Sequence, residues 1–305
     1  MGPYRDHWRP RQSCRAAPPE RKFTTSRCPF LHKAHECRAM ARLSEKEMTE
    51  YDLSIEDRPR RGDIMQIQNS IVLVTGANRG IGRAIVGALL QAGAKKVYAG
   101  ARRLDSVADT KALDPSRVVP LTIDVTDSDL VAALPAKAQD VNLLVNNAGV
   151  LDFGAILDAP FEAIDRNFET NFYGTLNMAR AFVPVIEKNG GGAIVNILTL
   201  VALASMPGLS VYNASKAASW SMTQSLRASL AGRKIAVHGV FPGAVDTDML
   251  AGVEMPKASP ADVAVAIVSG IAAGQEDIFP DQMSAGLYDA WKKDHKAVER
   301  QFATM

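Results

Sequence analysis

Cysteine is missing from everything beyond position 37. The three cysteines of this 305-residue chain, Cys14, Cys28 and Cys37, all fall in its first segment. The remainder must therefore fold without disulfides, which suits a reducing compartment, and we expect a cytoplasmic protein. Long apolar runs are missing as well. No uncharged stretch reaches the roughly 18 residues that a membrane-spanning helix needs, so no membrane partner is expected. Nor is there a large excess of charge. With a net charge of +2, 22% charged and 47% apolar residues, the chain has the balance of a globular protein.

The near-neutral total conceals an uneven start. Residues 1–42 carry ten Lys/Arg against three Asp/Glu, whereas residues 43–64 carry four against seven. "RPRQSCRAAPPERK" has neither a helical nor a strand period, and residues 1–64 read as a disordered extension ahead of one domain at 65–305. "CPFLHKAHEC" supplies Cys28, His32, His35 and Cys37, but their spacing fits no zinc pattern, and no metal is expected. Asp6, Glu20 and four early prolines spoil an amphipathic presequence. The basic residues lack interleaved aromatics, so no nucleic-acid partner is expected either. Met40, Met48 and Met65 are alternative starting points.

From residue 70 the pattern becomes regular. Short β-rich runs, "IVLVT" at 71, "KVYAG" at 96, "VVPLTI" at 118, "VNLLV" at 141, "AIVNI" at 193, "IAVHGVF" at 235 and "DIFP" at 277, alternate with helical stretches. The runs are continuously apolar, as strands covered on both faces should be. "GIGRAIVGALLQA" and the long "FEAIDRNFETNFYGTLNMARAFVPVIEK" read as helices between them. The order predicts a doubly wound α/β fold, a parallel sheet with helices on both sides. "VLVTGANRGIG" at 72–82 closes the first strand and opens a helix. Gly76, Gly80 and Gly82 permit a tight turn that brings backbone N–H groups close to a pyrophosphate.

That Gly-x-x-x-Gly-x-Gly turn, "NNAG" at 146–149, Tyr212-x-x-x-Lys216 and "PGAVDTDM" at 242–249 stand in one order along the chain. Together they resemble the short-chain dehydrogenase/reductase family, over residues 70 to about 280. The resemblance implies a single Rossmann domain with a seven-stranded sheet, and a dinucleotide bound across the carboxyl ends of its strands. It also implies a small-molecule carbonyl or alcohol substrate and assembly as a homodimer or homotetramer. Cofactor contacts then fall on Gly76, Asn78, Arg79, Gly80, Ile81 and Gly82 of the turn, and on Arg102, Asp124 and Val125. Asn146, Asn147, Ala148 and Gly149 run beneath the adenine ribose. Pro242, Gly243, Val245 and Thr247 lie at the nicotinamide, the last two holding its carboxamide.

The end of the second strand, "YAGARR", bears on which dinucleotide binds. Ala101 stands where NAD-preferring relatives carry an acidic residue, and Arg102 and Arg103 follow it. A guanidinium binds a 2′-phosphate through paired charged hydrogen bonds, so Arg102 and Arg79 favour NADP(H) over exposed, solubilising roles. Asp124 resembles the family's adenine contact; an aspartate at a strand end also organises the following turn, and both roles stay open.

Four residues along a helix give about 6 Å of rise on nearly one face, so Lys216 lies beside Tyr212. A free phenol titrates at about 10, and a neighbouring ammonium and the positive nicotinamide ring should both lower that value toward proton exchange near neutrality. Tyr212 is then the proton donor to a carbonyl oxygen, and Lys216 also reaches the nicotinamide ribose. The resemblance gives Asn171 a water that links the lysine to solvent; a helix-interior polar residue at a subunit contact is the plainer reading. Where the family has serine this chain has Thr199, which keeps the hydroxyl and adds a methyl group. It either polarises the substrate oxygen or merely ends a buried strand.

The surrounding "VLDFGAI", "LVALASMPGL" and "MLAGVEMP" contain no Arg or Lys, so a neutral, hydrophobic aldehyde or ketone is expected. A C-terminal amphipathic helix at about 285–303 places Leu287, Trp291, Val298 and Phe302 on one stripe, a packing or dimer face. The sequence thus points to an NADPH-dependent carbonyl reductase. Its alternatives are an NAD-dependent alcohol dehydrogenase and a dinucleotide-sensing protein without turnover, against which the Asn171, Thr199, Tyr212 and Lys216 set argues.

Overall fold

A computed structural model describes residues 65–305; the extension at 1–64, with its cysteines and the metal and presequence readings, lies outside the described residues. The chain runs through β1 (Ile71–Thr75), α1 (Gly80–Gln91), β2 (Lys96–Ala101), a short α2 (Ala108–Lys111), β3 (Val118–Thr122), α3 (Ser128–Lys137) and β4 (Leu143–Asn146). Then follow α4 (Phe161–Asn167), a π-helical turn (Phe168–Gly174), α5 (Thr175–Lys188), β5 (Gly192–Ile197), α6 (Ser210–Leu230) and β6 (Ile235–Val240). α7 (Pro260–Ala272), β7 (Asp277–Ile278), α8 (Gln282–Lys293) and α9 (His295–Phe302) complete it. The strands form one seven-stranded sheet in the order β3-β2-β1-β4-β5-β6-β7, with every neighbouring pair parallel. The expected doubly wound α/β fold is present.

The apolar runs are continuous because alternate residues serve opposite layers. Val72 and Val74 of β1 pack with Ile85 and Leu89 of α1 and Val263 and Ile267 of α7. Leu73, between them, packs on the other side with Leu134 of α3 and with Met178, Phe182 and Ile186 of α5. The winding direction reverses between β1 and β4, which opens a crevice at their carboxyl ends.

Two expected helices are each divided. The long one is interrupted by the π-turn, where a Cβ on Gly174 would come within 2.7 Å of Val125 Cγ2. The C-terminal one breaks at Asp294, whose extended backbone (φ −154°, ψ 90°) ends α8 and whose carboxylate caps α9 at the Ala297 N–H, 2.9 Å away. Both halves still supply the expected packing stripe: Leu287 and Trp291 from α8, Val298 and Phe302 from α9, on one cluster with Leu200, Val201 and Tyr212. Among the described residues no helix is long and apolar enough to cross a membrane.

Candidate active site

The crevice is lined first by backbone. Gly76 and Gly80 adopt left-handed conformations, φ +63° and +52°. A Cβ on Gly82 would lie 2.2 Å from the Gly76 carbonyl oxygen, and one on Gly76 would lie 3.0 Å from Ala148 Cα. Thr75, which precedes the turn, locks it to β4. Its Oγ1 accepts the N–H groups of Asn147 and Ala148, both at 3.0 Å. Asn147 Nδ2 returns bonds to the carbonyls of Thr75 (2.9 Å) and Gly76 (3.0 Å). The α1 N-terminus has no capping side chain and no acidic residue in its first turn. Its unsatisfied N–H groups, beside a glycine-lined hollow, fit a dinucleotide pyrophosphate.

Other expected cofactor residues gather here. Asn78 is half-buried in the turn, and Ile81 packs against the core beneath it. The Thr247 methyl would stand 3.1 Å from a Cβ on Gly80, which sets residues 245–247 against the glycine turn. Val245 is bridged to Ala258, and the Gly243 N–H is held by Asp281 at 2.8 Å. Pro242 accepts the Leu200 N–H at 3.0 Å, joining this loop to the one that follows β5. At the end of β2, Arg102 is exposed and makes no hydrogen bond or ion pair among the described residues. Arg103 turns to Asp105 at 3.1 Å. Arg79 pairs with Asp248 at 2.8 Å, both side chains 69% exposed, an attachment worth no more than about 1 kcal/mol and open to exchange for a phosphate. Asp124 accepts the Thr126 N–H (3.0 Å) and O–H (2.7 Å), so its turn-organising role is present. Val125 is buried against Gly174.

Tyr212 and Lys216 are both buried on α6. The Lys216 ammonium lies 5.9 Å from the phenol ring centroid and donates to the Ile197 carbonyl at 2.8 Å. Burial pushes the phenol up to about 12, against a hydrogen bond from Thr199 that favours the phenolate. The same burial lowers Lys216 to about 8. Loss of water thus dominates the phenol here, with the Lys216 ammonium turned to a carbonyl. The lowering expected from the ammonium and the nicotinamide ring together belongs to the complex with dinucleotide. At neutral pH Tyr212 therefore carries its proton.

Thr199 accepts the Val201 N–H at 3.4 Å, capping the turn Leu200–Ala202, and its hydroxyl lowers the Tyr212 phenol against the effect of burial. Asn171 sits in the π-turn. Its Oδ1 accepts the Val150 N–H and its Nδ2 donates to the Val150 carbonyl, both at 3.0 Å. The side chain serves first as a brace between the π-turn and the loop after β4. Its own carbonyl accepts hydroxyls from Thr175 (2.9 Å) and Ser219 (3.0 Å). Gly149 separates the groups; a Cβ there would lie 3.1 Å from Asn171 Oδ1 and 3.6 Å from Lys216 Nζ. Asn146 points elsewhere, to Asn196 at 2.9 Å. Thr75 and Ser215 were not singled out from the sequence. A hydroxyl directly before a glycine turn was the available signal for Thr75; Ser215 had none.

The family model described as short chain dehydrogenase matches residues 70–257. A short chain dehydrogenase from Burkholderia cenocepacia, solved in complex with NADP, is 38% identical; the match covers 78% of this chain and 99% of that one, with a TM-score of 0.74. A short chain dehydrogenase/reductase from Burkholderia phymatum, in complex with NAD, shares the fold at 24% identity and a TM-score of 0.69, over 78% of this chain and 97% of that one. The short chain dehydrogenase mpl6 of Monascus purpureus is 35% identical over 191 residues, 58% of this chain, and the chain spans just under two thirds (65%) of that relative's length. The chain belongs to the short-chain dehydrogenase/reductase family of oxidoreductases.

Proposed function

We propose that the protein is an NADPH-dependent reductase of neutral, hydrophobic aldehydes or ketones. One observation carries the reading: Tyr212 and, one turn later, Lys216 are both buried on α6, in a domain whose glycine-lined crevice fits a dinucleotide. NADPH, when bound, supplies the hydride for the carbonyl carbon. The turn of Gly76, Gly80 and Gly82 with the α1 N–H groups would hold its pyrophosphate, Arg102 and Arg79 would hold a 2′-phosphate, and Lys216 would hold the ribose. Tyr212 gives its phenolic proton to the carbonyl oxygen while the Thr199 hydroxyl steadies the charge growing there.

The apolar loops after β4 and β5 support the substrate class. Phe153 and Leu157 are exposed in the first, and Leu200, Val201 and Met206 line the second. The test is consumption of NADPH, followed by its fluorescence, across a panel of aldehydes and ketones, repeated with NADH. Turnover confined to oxidation of alcohols with NAD would replace this reading, and binding without turnover would make the protein a sensor.

A further inference from the structure

Proton donation by Tyr212 needs more than a correct phenol. Asn171 and Tyr212 sit on different elements and must keep one relation to each other. We propose that Ser215 is a positioning residue that ties Asn171 of the π-turn to Tyr212 of α6; the proposal rests on the reading of Tyr212 as proton donor. Ser215 is wholly buried. Its Oγ accepts from Asn171 Nδ2 at 2.9 Å and donates to the Tyr212 carbonyl at 2.8 Å.

The direction of this chain is fixed by its far end. Asn171 Oδ1 receives the Val150 N–H, so the amide nitrogen must face Ser215. That nitrogen can only donate, and the single hydroxyl proton of Ser215 is left for the Tyr212 carbonyl. One line of bonds therefore runs from the Val150 N–H through Asn171 and Ser215 into the backbone of the tyrosine, while the amide also donates back to the Val150 carbonyl. Ser219, one turn along the same face of α6, donates to the Asn171 carbonyl at 3.0 Å and grips the π-turn a second time. Alanine at 215 would take away the 2.9 Å acceptor of the buried Asn171 amide and leave that N–H only the longer contact to Asn167 Oδ1 at 3.4 Å. With Gly149 leaving little room beside Asn171 and Lys216, a shift of the amide would be passed to the groups around the phenol.

The experiment compares Ser215→Ala and Ser215→Thr in the full chain. Nuclear magnetic resonance reads the Asn171 side-chain amide protons and the Tyr212 ring carbon that bears oxygen, with no substrate present. In Ser215→Ala one amide proton should exchange with water about tenfold faster and the tyrosine resonance should move; Ser215→Thr should restore both. With a carbonyl that the natural protein reduces, kcat should fall about tenfold in Ser215→Ala, with KM and NADPH affinity unchanged, and recover in Ser215→Thr. Should the alanine variant not fold, Ser215→Cys, with its weak donor and acceptor, makes the same comparison. An unmoved Tyr212 resonance or an unchanged kcat overturns the proposal. So does a fall in kcat matched by equal losses of NADPH affinity and thermal stability. If the natural protein reduces no carbonyl, the functional reading fails, while the two resonances still decide whether the tie exists.

Discussion

The glycine turn after β1 and the polar cluster around Tyr212 lie at the same, carboxyl end of the sheet's strands, yet they are made of opposite materials. At the turn, side chains are removed so that backbone can approach backbone; a Cβ on Gly82 would meet the Gly76 carbonyl oxygen at 2.2 Å. Around Tyr212, polar side chains fill a dry interior and hold one another, as Asn171 does with Val150 and Ser215. On the proposed function the difference separates two tasks: a hollow of N–H groups would grip phosphate, whereas a network of fixed hydroxyls and amides would control where one proton goes.

If that division is right, damage on one side should leave the other intact. The largest effect is expected from Tyr212→Phe, which should lower turnover by about 10³-fold or more while fluorescence titration finds NADPH bound as before. Joint loss of binding and turnover would break the division. Thr199→Ala comes next, with kcat/KM reduced about 10²-fold, or about 3 kcal/mol, and Thr199→Ser retaining most of its activity. Equal activity in the two variants would leave Thr199 only its cap on the turn Leu200–Ala202. Arg102→Ala tests the opposite side: NADPH should bind more weakly by about 1.5–3 kcal/mol, with NADH affinity and kcat at saturation unmoved. Equal weakening of both dinucleotides would remove Arg102 from the 2′-phosphate.

The smallest effect is one of stability. Burial lowers Lys216 from 10.5 to about 8, so between those values the unfolded chain binds a proton that the folded chain has released. Stability should therefore rise with pH in that window, by at most about 1.4 kcal/mol per pH unit. Tyr212, raised from 10.0 to about 12, acts the other way above pH 10, where the unfolded phenol ionises first. Urea unfolding between pH 8 and 10 should show the rise in the natural protein and not in Lys216→Met. Identical slopes would mean that the ammonium is not desolvated.

What could be read from the sequence was whatever is local. The glycine turn and the Tyr212–Lys216 pair are contiguous spacings, and the strands announced themselves because both faces of each are covered. "VNLLV" was placed correctly; the strand itself runs Leu143–Asn146, and just before it Asn142 bonds Ile71 through both its backbone N–H and its side chain. The break at Asp294 carried a signal, a capping residue type inside an apparent helix, which the continuous apolar stripe outweighed. The link between Asn171 and Ser215 carried none: two small polar residues on separate helices acquire a relation only when the π-turn and α6 come together. The raised phenol was hidden for a similar reason, because desolvation is a property of the assembled interior.

The π-turn makes the length of the chain, and not only its composition, part of the site. A π-turn holds an extra residue relative to regular α-helix, and loss of one residue between Phe168 and Gly174 would let the segment heal into an ordinary helix. The helices on either side would keep nearly their present phase, because the wide turn already absorbs the extra residue. What would be lost is the widened turn itself, and with it the backbone position from which Asn171 reaches Val150 and Ser215. Point substitutions here each cost a bond or two, but a single-codon deletion would remove the bulge that places Asn171. This stretch should therefore accept changes of letter far more readily than changes of length.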